Sequence, residues 1–217
     1  KVNEVYTKNE TMVIATRLND GQRDIFDNTE ANKSKAKFKI DFDTIKSGVR
    51  LLEDQEWFLK VFQNNAKIII VGAVHIAEPL INFANHLNYE VFLIDPRSTF
   101  NEKKFNNIKI FKEWPDEALK KIIIDQNTAI VTLTHDPKLD DPALEYSLKT
   151  NAFYIGCLGS KKTHNSRILR LKKKGINEEQ LNKLNGPVGL SIEAKTPSEI
   201  AISIISQIIL FKNRTNA

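Results

Sequence analysis

The 217-residue chain is 41% hydrophobic and 27% charged, with eight Gly and seven Pro. This excludes collagen-like and linker-type sequences and supplies enough apolar material for a sizeable core. A single cysteine, Cys157, excludes an intrachain disulfide and any cysteine-built zinc or iron–sulfur centre within one chain, and it fits a reducing, cytoplasmic compartment. The net charge of +5 is spread among 27 acidic residues, too weak a bias to argue for nucleic acid.

No apolar run approaches the ~20 residues that span a bilayer, and no secretory leader is evident at Lys1, although the chain does not begin with Met. In chain order, residues 1–50 carry short alternating stretches at Thr11–Arg17, Asp24–Asp27 and Lys35–Asp43 that predict strands. Asn19-Asp20-Gly21 predicts a hairpin turn, because Asp-Gly supplies positive φ readily, and Asn28–Ser34 predicts a loop. Trp57, Phe58 and Phe62 follow at near-helical spacing and predict a connecting helix that packs this small unit. The expected division is a β-rich region over 1–65 and a second domain over 66–217.

From Lys67 the pattern switches to strands alternating with helices. Lys67–Val71 is a continuous apolar run before Gly72, as in a strand buried on both faces. Predicted strands follow at Glu90–Ile94, Ile108–Phe111, Thr128–Leu133 and Ala152–Ile155, and predicted helices at Ile76–Leu87, Pro115–Ile124, Pro142–Leu148, Lys161–Lys174, Glu178–Leu184 and Pro197–Phe211. Thr196 reads as the N-cap of the last helix, with Glu199 completing a capping box. The repeated β-α-β order predicts an α/β, doubly wound, Rossmann-like parallel sheet with a small antiparallel N-terminal appendage.

Four segments carry candidate chemistry. Gly72-Ala-Val-His-Ile-Ala77 is a strand–turn–helix that presents backbone N–H groups to a phosphate. Asp95 ends the next strand where an acid binds ribose hydroxyls in dinucleotide folds, and Arg97 follows it. The Gly-x-Gly-x-x-Gly fingerprint is nevertheless broken, with Val74 at its second and Ala77 at its third position. Thr134, His135 and Asp136 follow the strand ending at Leu133 and offer a hydroxyl, an imidazole and a carboxylate, so His135 with Asp136 is the best acid/base pair if the protein is an enzyme. Asp140 or Asp141 reads as a helix cap. Gly156, Gly159 and Ser160 form a second anion cradle before a helix, with Cys157 between the glycines and Lys161, Lys162, His164 and Arg167 adding positive charge. Gly186–Ala201 either closes over the site or completes the sheet. No Walker A, Gly-x-Ser-x-Gly or His-Glu-x-x-His motif is present.

Gly72–Ala77, Asp95-Pro-Arg97, Thr134-His-Asp-Pro-Lys-Leu-Asp-Asp-Pro-Ala143, Tyr154-Ile-Gly-x-Leu-Gly-Ser160 with Thr163-His164 and Arg167, and Pro187-x-Gly-Leu190 with Thr196-Pro-x-Glu-Ile-Ala201 together resemble the C-terminal Rossmann domain of the XdhC/CoxI family. These are accessory proteins for xanthine dehydrogenase and other molybdenum hydroxylases. The resemblance implies a cofactor carrier rather than a catalyst. It would bind molybdenum cofactor, as molybdopterin or its dinucleotide form, while a terminal sulfur is installed, then pass it to an apo-hydroxylase. It also implies contact with a cysteine desulfurase and a homodimer. The residues expected to hold the cofactor are Gly72, Val74, His75, Asp95, Arg97, Thr134, His135, Asp136, Gly156, Gly159 and Ser160, with no metal ligands supplied by the chain. Val74 stands where most members have glycine, and residues 1–65 lack the cysteine-containing motif of typical N-terminal domains, so a shortened relative is expected. The alternatives are an NAD(P)-dependent oxidoreductase on the same sheet and a non-catalytic nucleotide-sensing interaction protein.

Overall fold

A computed structural model describes residues 11–27, 45, 47–62, 65–97, 105 and 107–215. The expected strand at Lys35–Asp43 and loop at Asn28–Ser34 lie outside them. The chain divides into two compact units between residues 64 and 65.

The first unit is a four-stranded antiparallel sheet of β1 (Met12–Arg17), β2 (Arg23–Asp27), β3 (Gly48–Leu52) and β4 (Gln55–Phe62), in the order β2-β1-β4-β3. The Asn19-Asp20-Gly21 turn forms as expected. Asp20 Oδ1 accepts the Gln22 N–H at 3.0 Å, and Gly21 takes a positive φ of 73°. The expected helix around Trp57 does not form. Trp57, Leu59 and Val61 alternate on one face of β4, with Trp57 and Leu59 each 2% exposed while Phe58 between them is 40% exposed. Period 2 therefore wins over the wider spacing, because β4 has neighbours on both sides: β1 and β3. Glu53 and Asp54, both at positive φ, close the β3–β4 hairpin. This backbone usually calls for Asn-Gly or Asp-Gly, so the turn left little trace in the sequence.

The second unit is the doubly wound sheet. Its strands are β5 (Lys67–Val71), β6 (Glu90–Ile94), β7 (Lys109–Phe111), β8 (Thr128–Thr132), β9 (Tyr154–Cys157) and β10 (Leu184–Asn185), in the order β10-β9-β8-β5-β6-β7 and all parallel. The helices are α1 (Ala77–His86), α2 (Pro115–Leu119), α3 (Pro137–Ser147), α4 (Lys161–Lys173), α5 (Glu178–Leu181) and α6 (Pro197–Thr215). Strand alternation sorts the core into faces. Ile68 and Ile70 of β5 and Val131 of β8 pack with Leu80 and Ile204 from α1 and α6. Ile69, Val71 and Ile130 pack against Ala118 and Leu119 of α2 and Ala143 of α3. The α6 capping box forms as expected, with Glu199 N–H donating to Thr196 Oγ1 and Thr196 N–H to Glu199 Oε2. None of the helices among the described residues is long and apolar enough to cross a membrane.

Candidate functional site

Parallel strands end on one edge of their sheet, and ligands of open α/β folds bind beyond that edge. Here Ile94, Val71, Thr132 and Cys157 stand in register across β6, β5, β8 and β9. The chain therefore leaves the sheet side by side at Asp95, Gly72, Leu133 and Leu158. Gly72 has a φ of 110°, and a Cβ there would lie 2.5 Å from Thr134 Cγ2. Only glycine lets the β5–α1 turn and the β8–α3 loop approach this closely. Val74 and His75 lie on the same turn, Val74 half-buried and His75 exposed. No side chain caps the N-terminus of α1; the Ala77 N–H donates instead to the Val74 carbonyl at 2.8 Å, and Pro79 in the first turn has no N–H to offer.

Asp95 is 1% exposed, and its carboxylate is committed within the fold. Oδ2 accepts the Ala73 N–H at 2.7 Å and Arg97 Nη2 at 2.6 Å, while Oδ1 accepts the Arg97 N–H and Nε, both at 2.9 Å. Burial pushes the Asp95 carboxyl up, but the Arg97 guanidinium and the Ala73 N–H outweigh it and hold the group below the ordinary carboxylate value. Asp95 thus fastens the glycine turn and aims Arg97, whose side chain is 44% exposed at the sheet edge.

The β8–α3 loop is shorter than the sequence suggests. Helix α3 starts at Pro137 rather than Pro142, and Asp136, not Asp140 or Asp141, is its N-cap, accepting the Lys138 N–H at 2.9 Å. Pro137 at the first helical position loses no hydrogen bond. Asp140 and Asp141 lie inside the helix, buried, because α4 supplies cations for both. Arg170 grips Asp141 with Nε at 2.6 Å and Nη2 at 2.9 Å, and Arg167 Nη2 lies 3.2 Å from Asp140 Oδ2. The Thr134 hydroxyl donates to Asp140 Oδ1 at 2.6 Å. Burial raises the Asp140 carboxyl despite these two partners. His135 is exposed and held at a left-handed φ of 61°, a backbone state seldom taken without cause by a residue with a side chain.

At β9 the strand runs to Cys157, two residues past the expected end. Gly156 is therefore a strand residue, and a Cβ on it would strike Val188 and the Tyr154 ring. Gly159 and Ser160 do sit in the strand-to-helix loop. Ser160 caps α4 by accepting the Thr163 N–H at 3.1 Å, and Gly159 has a φ of 147°. The Cys157 thiol is fully buried, 3.7 Å from His164 Nδ1, and burial pushes it up to about 11. The segment from Gly186 completes the sheet edge beside β9. Val188 N–H donates to the Cys157 carbonyl, and Gly189 N–H donates to Gln207 of α6.

The parallel sheet thus holds two arginines, Arg97 and Arg167, each paired with a buried aspartate beside the Thr134–Asp136 loop. Residues 68–208 match the XdhC Rossmann domain. The chain belongs to the XdhC family. The XdhC match begins in β5 and ends in α6. Among relatives, the chain is 31% identical over 99 residues to the molybdenum cofactor insertion chaperone PaoD of Escherichia coli, which covers 46% of this chain and 30% of that protein. It is 26% identical over 159 residues to a Bacillus subtilis protein named as a probable xanthine dehydrogenase component, covering 72% of this chain and 46% of that one. It resembles the crystal structure of a Bacillus halodurans protein described as a xanthine dehydrogenase, with a TM-score of 0.73 at 25% identity over 98% of this chain and 63% of that one. The chain spans less than half the length of these curated relatives. The pairing of Arg167 with Asp140 is the main feature that sequence reasoning missed. The two arginines three residues apart on α4 and the adjacent aspartates on α3 are the signal that could have found it.

Proposed function

We propose that this XdhC chain binds molybdenum cofactor at the carboxyl edge of its parallel sheet and carries it to a xanthine dehydrogenase-type molybdenum hydroxylase. The observation that carries the reading is the Ala73–Asp95–Arg97 arrangement. A buried carboxylate fixes both an uncapped helix entrance and a guanidinium that is 44% exposed beside it. These are the two elements that bind a phosphate group, the dipolar helix end and the planar cation. The cofactor supplies the metal centre used by the client, and this chain supplies donors: the Arg97 guanidinium and, on the glycine turn, the Val74 and His75 amides, since those of Gly72, Ala73 and Ala77 already serve Ile94, Asp95 and Val74.

A carrier reading also fits the carboxylates around His135. Asp140 binds Thr134 and Arg167, and Asp141 binds Arg170, so both are engaged away from the imidazole, while Asp136 spends one oxygen capping α3. The commitment of Asp95 to Ala73 and Arg97 likewise counts against the ribose contact of a dinucleotide-dependent oxidoreductase.

The test is the ligand released from freshly purified protein, identified by mass and fluorescence. An oxidised pterin lost in Arg97→Ala supports the reading. Nicotinamide, or no ligand after co-expression with the cofactor pathway, overturns it.

A further inference from the structure

The antiparallel sheet of the first unit is apolar on both faces. One face carries Val13, Ala15, Trp57 and Leu59 and is buried. The other carries Ile25, Val49, Leu51 and Phe58, which are between 40% and 69% exposed. The cross-strand register sets these four on one side: Ile25 opposes Ile14, Phe58 opposes Thr16 on β1 and Val49 on β3, and Leu51 opposes Glu56. Leu18, also exposed, continues the same pairing, its N–H donating to the Glu56 carbonyl. An antiparallel sheet with one solvated face normally alternates apolar and polar along each strand. Here exposed apolar side chains run across β2, β4 and β3. Single exposed apolar residues are ordinary, whereas a contiguous face of them marks an interaction surface.

Strand β4 lies inside this sheet, between β1 and β3. Its outward residues Glu56, Phe58 and Lys60 follow at two-residue spacing, an acid, an aromatic ring and a base, all exposed. Neither Glu56 nor Lys60 has an ion-pair partner among the described residues. Read backwards, the order is the same with the charges exchanged. The face is therefore complementary to its own reverse, which is what an isologous contact requires.

We propose that this face packs against the same face of a second copy of the chain, about a two-fold axis that lies between the sheets and crosses β4 over Phe58. The two β4 strands then run antiparallel. Phe58 meets Phe58, and each Glu56 faces the other copy's Lys60, so two ion pairs flank the rings. Stacked sheets stand about 10 Å apart, a gap that a Glu and a Lys side chain span together. Arg23 sits on the edge strand β2, at the rim, where salt and water screen it from its counterpart. The inference is independent of the cofactor reading.

The experiment measures the monomer–dimer equilibrium of the full chain by sedimentation over a range of concentrations. The wild type is expected to dimerise reversibly, and Phe58→Glu to remain monomeric. Glu56→Lys and Lys60→Glu each set like charges against each other twice and should weaken the dimer about tenfold. An equimolar mixture of these two variants restores opposite charges at both positions, so it should form a heterodimer about as tight as the wild type. Both replace exposed side chains, and circular dichroism confirms that they fold. A wild type that stays monomeric overturns the proposal, and loss of binding to an apo-hydroxylase in Phe58→Glu would then give the face to the client. A dimer that all three substitutions leave intact overturns it as well. So does a weakening that mixing the two charge variants fails to repair.

Discussion

The Ala73 N–H donates to the Asp95 carboxylate at 2.7 Å, so the turn that follows β5 is tied to the end of β6. Asp95→Asn keeps the shape but removes the charge that holds Arg97 and offers one acceptor oxygen where two are used. The expected cost is about 1–3 kcal/mol, because a buried hydrogen-bonded group loses partners. Urea unfolding, read as a lower midpoint with an unchanged slope, checks it.

The same carboxylate sets an acid limit. Its pKa lies below the ordinary value in the folded chain. Its contribution is therefore complete above the unfolded value, near 3.9, and is lost as the pH falls through the lower folded value. The wild type should lose stability more steeply than Asp95→Asn below about pH 4. Unfolding free energies between acid and neutral pH, measured for both proteins, decide this; parallel profiles would remove Asp95 as the cause.

Gly72→Ala places a methyl against Thr134 Cγ2 at a φ of 110°. A loss of about 2 kcal/mol is expected from strain and contact together. Adding Thr134→Ser deletes Cγ2, preserves the hydroxyl that donates to Asp140, and should recover part of the loss. Additive single effects would show that the two groups do not meet.

Cys157 should resist alkylation in the native protein at pH 8 and react on unfolding, since it is fully buried and its pKa is pushed up to about 11 by burial. Because the folded value lies above the unfolded one, the thiol's stabilising contribution is complete below the ordinary value of 9.0 and is lost between 9.0 and about 11. Mass spectrometry after timed exposure to iodoacetamide, with and without urea, gives the comparison.

His135→Gly relieves the left-handed backbone and should stabilise the chain by about 1 kcal/mol. If the imidazole contacts the cofactor, pterin retention falls in the same variant that melts higher. A melting temperature that drops instead would show that the side chain supports the loop.

The parallel sheet was legible because its signals are local and repeated. The run at Lys67–Val71 is buried over its whole length, and Thr196 with Glu199 closes the box that starts α6. What escaped depends on partners distant in the chain. Asp140 and Asp141 look like surface caps until α4 brings Arg167 and Arg170 against them. Trp57 looks helical until β1 and β3 flank β4. The Gly72 and Gly159 turns could be read from their glycines, whereas the inward commitment of Asp95 could not, since it depends on where the Ala73 N–H points.

Asp140 has two oxygens with separate duties: one receives the Thr134 hydroxyl and the other faces Arg167. Thr134 in turn packs against Gly72. One hydroxyl and one carboxylate therefore connect the α4 arginine to the turn after β5, and moving Thr134 would unsettle at once the burial of Asp140 and the close approach at Gly72.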